Sequence, residues 1–280
     1  NRDREVLSHW NDGITPDISK KYDRAGRLQM LSSVVSTLSY RYNKANQLRR
    51  ETQDIAGGGG GKTVTWYYDE DGLLQRMRYP QGFELSYRYN GRNQLNLIYH
   101  TGVSGGGVVK YEYDVNGNRI KKTLKNGTVT SYAYDDANRM LTLDNKKGAL
   151  SFARFDYGYD KVGRRTFVQR NGNKGDVYAY DATDQVTGVQ YEVTNPHAIP
   201  ANPLNTTNYE WDPAGNRTTV TNNVPDELYS TNNLNQYTAV AGNALTYNGN
   251  GALQSFNGWT YSYDAQNRLV KAEKGSTTVS

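Results

Sequence analysis

Aromatic and polar residues alternate along most of the chain in short segments. In ten places an aromatic residue lies two positions before the start of a recurring turn motif, as Tyr87 does before Tyr89. A spacing of two places both side chains on one face of a β-strand, with polar residues on the other face. The pattern predicts an all-β protein made of many short strands that each have one aromatic face.

The turn motif recurs twelve times. Its Tyr, Trp or Thr is followed by Asp or Asn, which accept hydrogen bonds from the main chain two residues on. Three positions later a Gly, Asn or Asp closes the motif, and these residue types tolerate positive φ. The motif therefore predicts a tight hairpin turn. The first and closing residues are Asp23 and Gly26, Asn43 and Asn46, Asp69 and Gly72, Asn90 and Asn93, Asp114 and Gly117, Asp135 and Asn138, Asp160 and Gly163, Asp181 and Asp184, Asp212 and Gly215, Asn232 and Asn235, Asn248 and Gly251, and Asp264 and Asn267.

Beyond each turn the alternation is expected to continue, with an aliphatic residue such as Leu28 on one face and its neighbour Arg27 on the other. Second turns are expected at Pro80–Gly82, at Asn126 with Gly127, and at Asn171–Asn173. Together these turns predict a continuous antiparallel meander of β-hairpin repeats.

The closing residue alternates between Gly in odd copies and Asn or Asp in even copies, so the predicted unit is a pair of repeats about 46 residues long. The predicted domains are a flanking segment at 1–21, the repeat array at 22–269 and a tail at 270–280. Insertions at 57–61 and 195–205 both follow even copies. We interpret them as exposed loops at one edge of the array.

Composition excludes several classes of protein. The chain has 24 Tyr but 5 Phe, so its core side chains carry polar tips. Its 33 basic residues nearly balance its 28 acidic residues, which indicates a folded chain. The basic residues are scattered rather than clustered, which indicates that the chain binds no nucleic acid. Cysteine is absent, and no apolar run is long enough for a membrane span. The first residues resemble no targeting signal, and we expect the chain to be part of a longer one.

Sequence patterns typical of catalysis occur in unsuitable contexts. Residues 56–63 resemble a phosphate-binding loop but precede a predicted strand, and residues 102–106 fit G-x-S-x-G without a helix to carry it. Residues 69–72 resemble the start of a calcium loop, yet Pro80 stands where the bidentate acid is needed. The three histidines are far apart in sequence. We predict a protein that is no enzyme and has no cofactor or metal.

The tyrosine rows have two possible roles. Nineteen of the 24 tyrosines occupy the two repeat positions, and this regularity favours packing within the sheet. Exposed rows could instead bind cell-surface glycans or proteins. The candidate binding residues are Tyr87, Tyr89, Tyr111, Tyr113, Tyr132, Tyr134, Tyr157 and Tyr159.

The motif Y-D-x-x-G-R-L resembles the YD repeats of bacterial Rhs proteins, animal teneurins and the B and C components of Tc toxins. Residues 22–28 read YDRAGRL and residues 263–269 read YDAQNRL. The resemblance spans about residues 22–269. It implies a long spiral β-sheet that forms a hollow shell, which in the bacterial members encloses a toxic C-terminal domain and in teneurins is a scaffold for adhesion domains.

From this resemblance we expect a structural repeat region that forms wall segments of an Rhs-type toxin shell. Its partner would be the rest of its own chain, and its location secreted or on the bacterial cell surface. The alternative is an adhesive module that binds carbohydrate or protein. The family's core and toxin are not among these residues. Asp212 followed by Pro213 lies within a repeat turn, so we do not expect it to be the family's self-cleaving aspartate.

Overall fold

The computed structural model describes residues 7–9, 15–102, 106–197, 203–222 and 225–279. The chain divides into two compact units, Asn1–Gly127 and Thr128–Ser280. The division falls inside the third predicted repeat pair, between the turns that begin at Asp114 and Asp135. The boundaries inferred from the repeat motif stay a prediction.

The first unit is an antiparallel meander in which each strand pairs with the next one along the chain. One 3₁₀ turn, Pro80–Gly82, connects two of the strands. The strands are β1 (Leu7–Ser8), β2 (Ile18–Tyr22), β3 (Leu28–Ser32), β4 (Ser36–Tyr42), β5 (Leu48–Ile55), β6 (Lys62–Tyr68), β7 (Leu74–Arg78), β8 (Glu84–Tyr89), β9 (Leu95–His100), β10 (Gly107–Tyr113) and β11 (Arg119–Leu124).

The second unit repeats this organisation, again with consecutive antiparallel pairing and a 3₁₀ turn at Asn171–Asn173. The predicted all-β hairpin array is confirmed. The strands are β12 (Thr128–Tyr134), β13 (Met140–Lys147), β14 (Leu150–Tyr159), β15 (Arg165–Arg170), β16 (Lys174–Tyr180), β17 (Val186–Thr194), β18 (Asn205–Trp211), β19 (Arg217–Thr221), β20 (Glu227–Thr231), β21 (Tyr237–Val240), β22 (Asn243–Tyr247), β23 (Leu253–Phe256), β24 (Trp259–Tyr263), β25 (Leu269–Lys274) and β26 (Thr277–Val279).

Every hairpin with a turn motif contains a one-residue shift of register just before the motif residue. In the first copy Tyr22 lies opposite Leu28, but Lys21 lies opposite Met30. Leu28 therefore shares the face of the motif tyrosine. The bulge inserts an extra residue after Leu28, so the faces of the following residues are shifted by one position.

The sheet of the first unit has an aromatic face and a polar face. Trp66 lies opposite Met77, which lies opposite Leu85, and directly opposed residues share a face. The adjacent row contains Thr65, Arg78 and other polar residues. The aromatic face is half-buried rather than covered, as the exposure pattern of the strands shows.

Few hydrophobic side chains of the described residues are buried: Val168, Val189, Val193 and Val220, all in the second unit. The solvent-accessible surface of the chain is 18011 Å². Two compact globules that shared its mass equally would together expose roughly 14,600 Å². Together the two units therefore expose more surface than compact globules of the same mass would, as thin sheets do.

The two predicted insertions differ in burial. Residues 57–61 are exposed, as expected. In the insertion at 195–205, however, Pro196 is buried, and its Cγ lies 2.9 Å from the position that a Cβ on Gly175 would take. The interpretation of this segment as an exposed loop is wrong for Pro196, because it packs on β16, while residues 198–202 lie outside the described residues.

Candidate functional site

The turn motifs form the most regular chemical feature of each unit. In the seventh copy the Oδ1 atom of Asp160 accepts hydrogen bonds from the backbone N–H of Val162 at 3.0 Å and of Arg164 at 2.9 Å. The closing Gly163 has a φ of 97° and donates its N–H to the Asp160 carbonyl at 3.1 Å. All twelve closing residues have positive φ, between 57° and 97°. The first residue and the closing residue therefore act together to close the hairpin.

In seven of the twelve copies the side chain just after the closing residue is matched to the first residue of the motif. Where the first residue is Asp160, Arg164 donates its Nε to Oδ2 at 2.7 Å. Where it is Asn90, Gln94 instead accepts from Nδ2 at 2.8 Å. The same pairs occur as Asp23 with Arg27, Asp135 with Arg139, Asp264 with Arg268, Asn43 with Gln47 and Asn232 with Gln236. Both kinds of pair thus form one hydrogen bond between a donor and an acceptor. The Asp–Arg pair is charged, and the Asn–Gln pair is neutral.

In two of these turns the arginine partner lowers the pKa of the first aspartate. The guanidinium of Arg164, hydrogen-bonded to Asp160, holds the pKa of that carboxyl below its ordinary value. Arg27 has the same effect on the pKa of Asp23. The ionised carboxylate is the form that accepts all of these hydrogen bonds. These two turns are therefore most stable when the aspartate is charged.

Neighbouring turns are linked to each other, and the links explain why Gly alternates with Asn. Gln47, after an even turn, donates its Nε2 to the Gly72 carbonyl at 2.8 Å, and a Cβ on Gly72 would lie 3.1 Å from that nitrogen. Arg27, after an odd turn, donates its Nη1 to the Oδ1 of Asn46 at 2.7 Å. The glycine of an odd turn such as Gly72 leaves room for the side chain of the preceding turn, whereas an even turn such as that of Asn46 supplies an acceptor side chain.

The motif tyrosines are tied to the backbone of the preceding hairpin. The hydroxyl of Tyr159 donates to the Met140 carbonyl at 2.8 Å, next to the bulge. A bulge disrupts the regular ladder of backbone hydrogen bonds, so an extra donor is useful there. A phenol supplies this donor and a phenylalanine does not, which explains the excess of tyrosine. Equivalent bonds join Tyr42 to Leu28, Tyr68 to Leu48, Tyr89 to Leu74, Tyr113 to Leu95 and Tyr180 to Arg165.

Two copies have substitutes for this contact. Trp211 replaces tyrosine and donates its indole Nε1 to the Val186 carbonyl at 2.9 Å. Thr231 is too short to do so, and the hydroxyl of Tyr237 accepts from the backbone N–H of Arg217 at 2.9 Å instead. Both substitutions keep a hydrogen bond between successive hairpins.

The eight candidate binding tyrosines are all half-buried in β8, β10, β12 and β14. Burial raises the pKa of the phenols of Tyr87, Tyr89 and Tyr159. An arginine guanidinium covers the ring of Tyr111 at 4.6 Å and that of Tyr157 at 5.0 Å. These contacts favour packing within the sheet, and glycan binding stays a prediction.

The patterns that resemble catalytic motifs lie on β-structure where they are described. Lys62 and Thr63 begin β6, so a strand follows the glycine run where a phosphate-binding loop has a helix. The oxygen Oδ1 of Asp69 accepts the Leu73 N–H at 2.8 Å within a repeat turn. Residues 103–105 of the G-x-S-x-G pattern lie outside the described residues. In the part of the chain that is described, no group of three potential metal ligands occurs and no helix is long and apolar enough to cross a membrane.

Comparison with known proteins identifies relatives of this repeat array. The sequence model of the RHS Repeat family matches residues 113–150. The tRNA3(Ser)-specific nuclease WapA of Bacillus spizizenii is 28% identical over 290 residues, which cover 86% of this chain and 12% of that protein.

Solved structures show the same fold. A crystal structure of TcdB2-TccC3-Cdc42 matches with a TM-score of 0.66 and 14% identity, over 95% of this chain and 17% of the other. The Tc holotoxin pore of Photorhabdus luminescens matches with a TM-score of 0.53 and 13% identity, over 97% of this chain and 20% of the other. The chain thus spans about a fifth or less of each of these relatives. Its repeated turn motif, the match to the RHS Repeat model and the resemblance to WapA show that the chain is similar to proteins of the Rhs, or YD-repeat, family.

Proposed function

We propose that this structural Rhs repeat region forms wall segments of a hollow β-shell that encloses a toxic C-terminal domain of the same polypeptide. The observation that carries the proposal is the thin, two-faced sheet. Its aromatic face is half-buried, and few hydrophobic side chains of the described residues are fully buried. A sheet of this kind gains stability when further parts of the same chain cover its apolar face.

The turn edge supports a wall function because the same kinds of contact recur along it. Side chains such as Gln47 and Arg27 link neighbouring turns, and motif tyrosines such as Tyr42 bond to the hairpin before them. Such nearest-neighbour contacts allow a sheet to be extended repeat by repeat. The partner we propose is the rest of the polypeptide, and the location is secreted or on the bacterial cell surface. No catalytic role is proposed for this region.

Protection of the C-terminal domain from protease tests the proposal. The complete polypeptide that contains this chain is digested with trypsin, and cleavage of its C-terminal domain is compared with that of the isolated domain. We expect at least tenfold slower cleavage in the complete polypeptide, because an enclosed chain is inaccessible. Asp135→Ala, which disrupts a turn, should accelerate cleavage, and Asp136→Ala, at the exposed neighbouring position, should not. Equal cleavage rates for the complete protein and the isolated domain would contradict encapsulation.

Adhesion is the alternative function, and the candidate residues are the tyrosine rows. A glycan array probed with the 280-residue chain tests it directly. We expect no binding that depends on Tyr89 or Tyr159, because their hydroxyls already donate to backbone carbonyls. Specific binding that is lost when these tyrosines are replaced by alanine in a folded variant would support adhesion over the wall function.

A further inference from the structure

A row of arginines crosses the polar face of the first unit. Arg41 on β4 lies directly opposite Arg50 on β5, and Arg50 lies opposite Thr65 on β6. Thr65 in turn lies opposite Arg78 on β7. Directly opposed residues have their Cβ atoms about 5 Å apart and point to the same face. Arg41 and Arg50 are therefore neighbours, with Arg78 two strands, or about 9.6 Å, further on.

The charges of Arg41 and Arg50 are not compensated within the described part of the chain. Both residues are exposed, and neither makes an ion pair or a side-chain hydrogen bond with a described residue. The nearby carboxylate of Glu84 is shared by other arginines, at 3.5 Å from the Nε of Arg78 and 3.6 Å from the Nη1 of Arg76. Like charges placed directly opposite each other destabilise a sheet. We therefore expect a bound anion to relieve the repulsion between Arg41 and Arg50.

A cavity of about 420 Å³ lies beside this row. No acidic side chain lines it. Its lining includes three cationic residues and two threonines, which are hydrogen-bond donors. These lining residues are Arg50, Lys62, Arg78, Thr63 and Thr65.

We propose that this cavity binds a phosphate or sulfate ester group carried by a larger molecule. Guanidinium groups donate paired hydrogen bonds to tetrahedral oxyanions, and a multiply charged oxyanion can neutralise two arginines at once. The ring of Tyr67, which also lines the cavity, is covered by the Arg76 guanidinium at 4.1 Å. Arg76 thus occupies one face of the Tyr67 ring, and the recognition proposed here rests on the oxyanion. This site is independent of the proposed wall function.

Titration calorimetry of the 280-residue chain with sodium pyrophosphate at low ionic strength tests the site. Arg50→Gln should weaken binding about tenfold, because it removes a charge-assisted contact in the cavity. Arg49→Gln is the matched control. Arg49 is the preceding residue of β5, is exposed and does not line the cavity, so its replacement removes the same charge. It should change affinity less than twofold.

Thermal melting separates ligand binding from a structural role. Without ligand, Arg50→Gln should melt no lower than the unmodified chain, because it removes the repulsion from Arg41. Pyrophosphate should raise the melting temperature of the unmodified chain and of Arg49→Gln by similar amounts, and that of Arg50→Gln by clearly less. Absence of pyrophosphate binding by the unmodified chain, or equal weakening by both variants, would overturn the proposal.

Two further probes identify the source of the ester. Polyphosphate and a sulfated oligosaccharide are compared for their dependence on Arg50, and the one that loses more affinity in Arg50→Gln has the preferred ester chemistry. Duplex DNA is the third probe. DNA binding that exceeds that of both other probes and weakens equally in Arg49→Gln and Arg50→Gln would indicate general attraction to polyanions and would count against a defined site.

Discussion

The two edges of the sheet in each unit are stabilised in different ways. At the turn edge the same atoms make the same hydrogen bonds in copy after copy, as Asp135 and Asp160 do with the backbone of their own turns. At the opposite edge the connections vary in length and chemistry, from the exposed glycines at 57–61 to the buried Pro196. Local polar contacts that recur in each copy therefore determine the structure of the turn edge. At the opposite edge the structure depends on packing contacts that differ from one connection to the next.

The packed part of the opposite edge lies around β15, β16 and β17. Val193 is fully buried there, and Arg170 donates its Nη2 to both carboxylate oxygens of Asp176, at 2.8 Å and 2.7 Å. Asp176 also accepts the backbone N–H of Glu192 at 3.2 Å. A buried cluster of this kind tolerates little change in volume or charge. The largest effects of mutation are therefore expected at this edge.

Gly175→Ala should produce the largest loss of stability. A Cβ on Gly175 would lie 2.0 Å from the Val168 carbonyl oxygen and 2.9 Å from Pro196, so backbone must move to admit it. We expect unfolding to become easier by about 3 kcal/mol. Urea denaturation followed by tyrosine and tryptophan fluorescence measures this change.

Gly172→Ala is the control for that substitution. Gly172 has a φ of 79°, and its added Cβ would meet no atom within 4 Å. The only cost to alanine here is its left-handed backbone conformation, which should lower the free energy of unfolding by about 1 kcal/mol. Equal shifts of the urea midpoint for the two variants would show that the close contact with the Val168 carbonyl does not lower the stability of Gly175→Ala.

Asp135→Ala tests the turn edge and should lower the melting temperature by a few degrees. The substitution removes the acceptor for the backbone N–H of Ala137 and Arg139, together with the ion pair to Arg139. Asp136→Ala removes an adjacent, exposed aspartate and should leave the melting temperature unchanged. If both variants melt alike in a calorimetric scan, the capping bonds contribute nothing measurable.

Tyr159→Phe should have a smaller effect, about 1 kcal/mol, since it removes one hydroxyl that donates to the Met140 carbonyl. Tyr157→Phe is the paired control two residues earlier on β14, where the ring and its contact with Arg165 are kept. Hydrogen exchange at the turn that follows β14 should increase in Tyr159→Phe but not in Tyr157→Phe. Unchanged exchange in Tyr159→Phe would show that the link between hairpins is dispensable.

The smallest effect concerns acid. The pKa values of Asp23 and Asp160 are lowered by their arginine partners, so these groups stabilise the folded chain above their ordinary pKa range. This contribution is lost as the pH falls through the lowered pKa values. Asp160→Asn keeps a turn-capping oxygen without the charge, and its stability should therefore fall less steeply between pH 5 and pH 3, roughly the range where carboxylates titrate. A parallel pH profile for Asp160→Asn and the unmodified chain would contradict a role for the charge.

Comparison of the repeats with one another can predict side-chain contacts that the residue type at a single position does not indicate. Asp160 is followed four positions later by Arg164, and Asn90 by Gln94, and the structure shows that each pair is hydrogen-bonded. Comparison of the first and fifth positions among the twelve copies could have predicted these contacts from sequence. The alternation of Gly72 with Asn46 could not be explained in that way, because its cause is a side chain from the neighbouring hairpin.

The amino-acid sequence by itself determined the strands, the twelve turns and the positive φ of the residues that close them. These features depend on interactions within about five residues, so residue type and spacing are enough to predict them. Only the tertiary structure decided the bulges, the hydrogen bond from Tyr159 to Met140, the burial of Pro196 and the opposition of Arg41 to Arg50. Each of these depends on the register between strands or on contacts between segments distant in sequence, and local residue preferences do not specify which groups then meet.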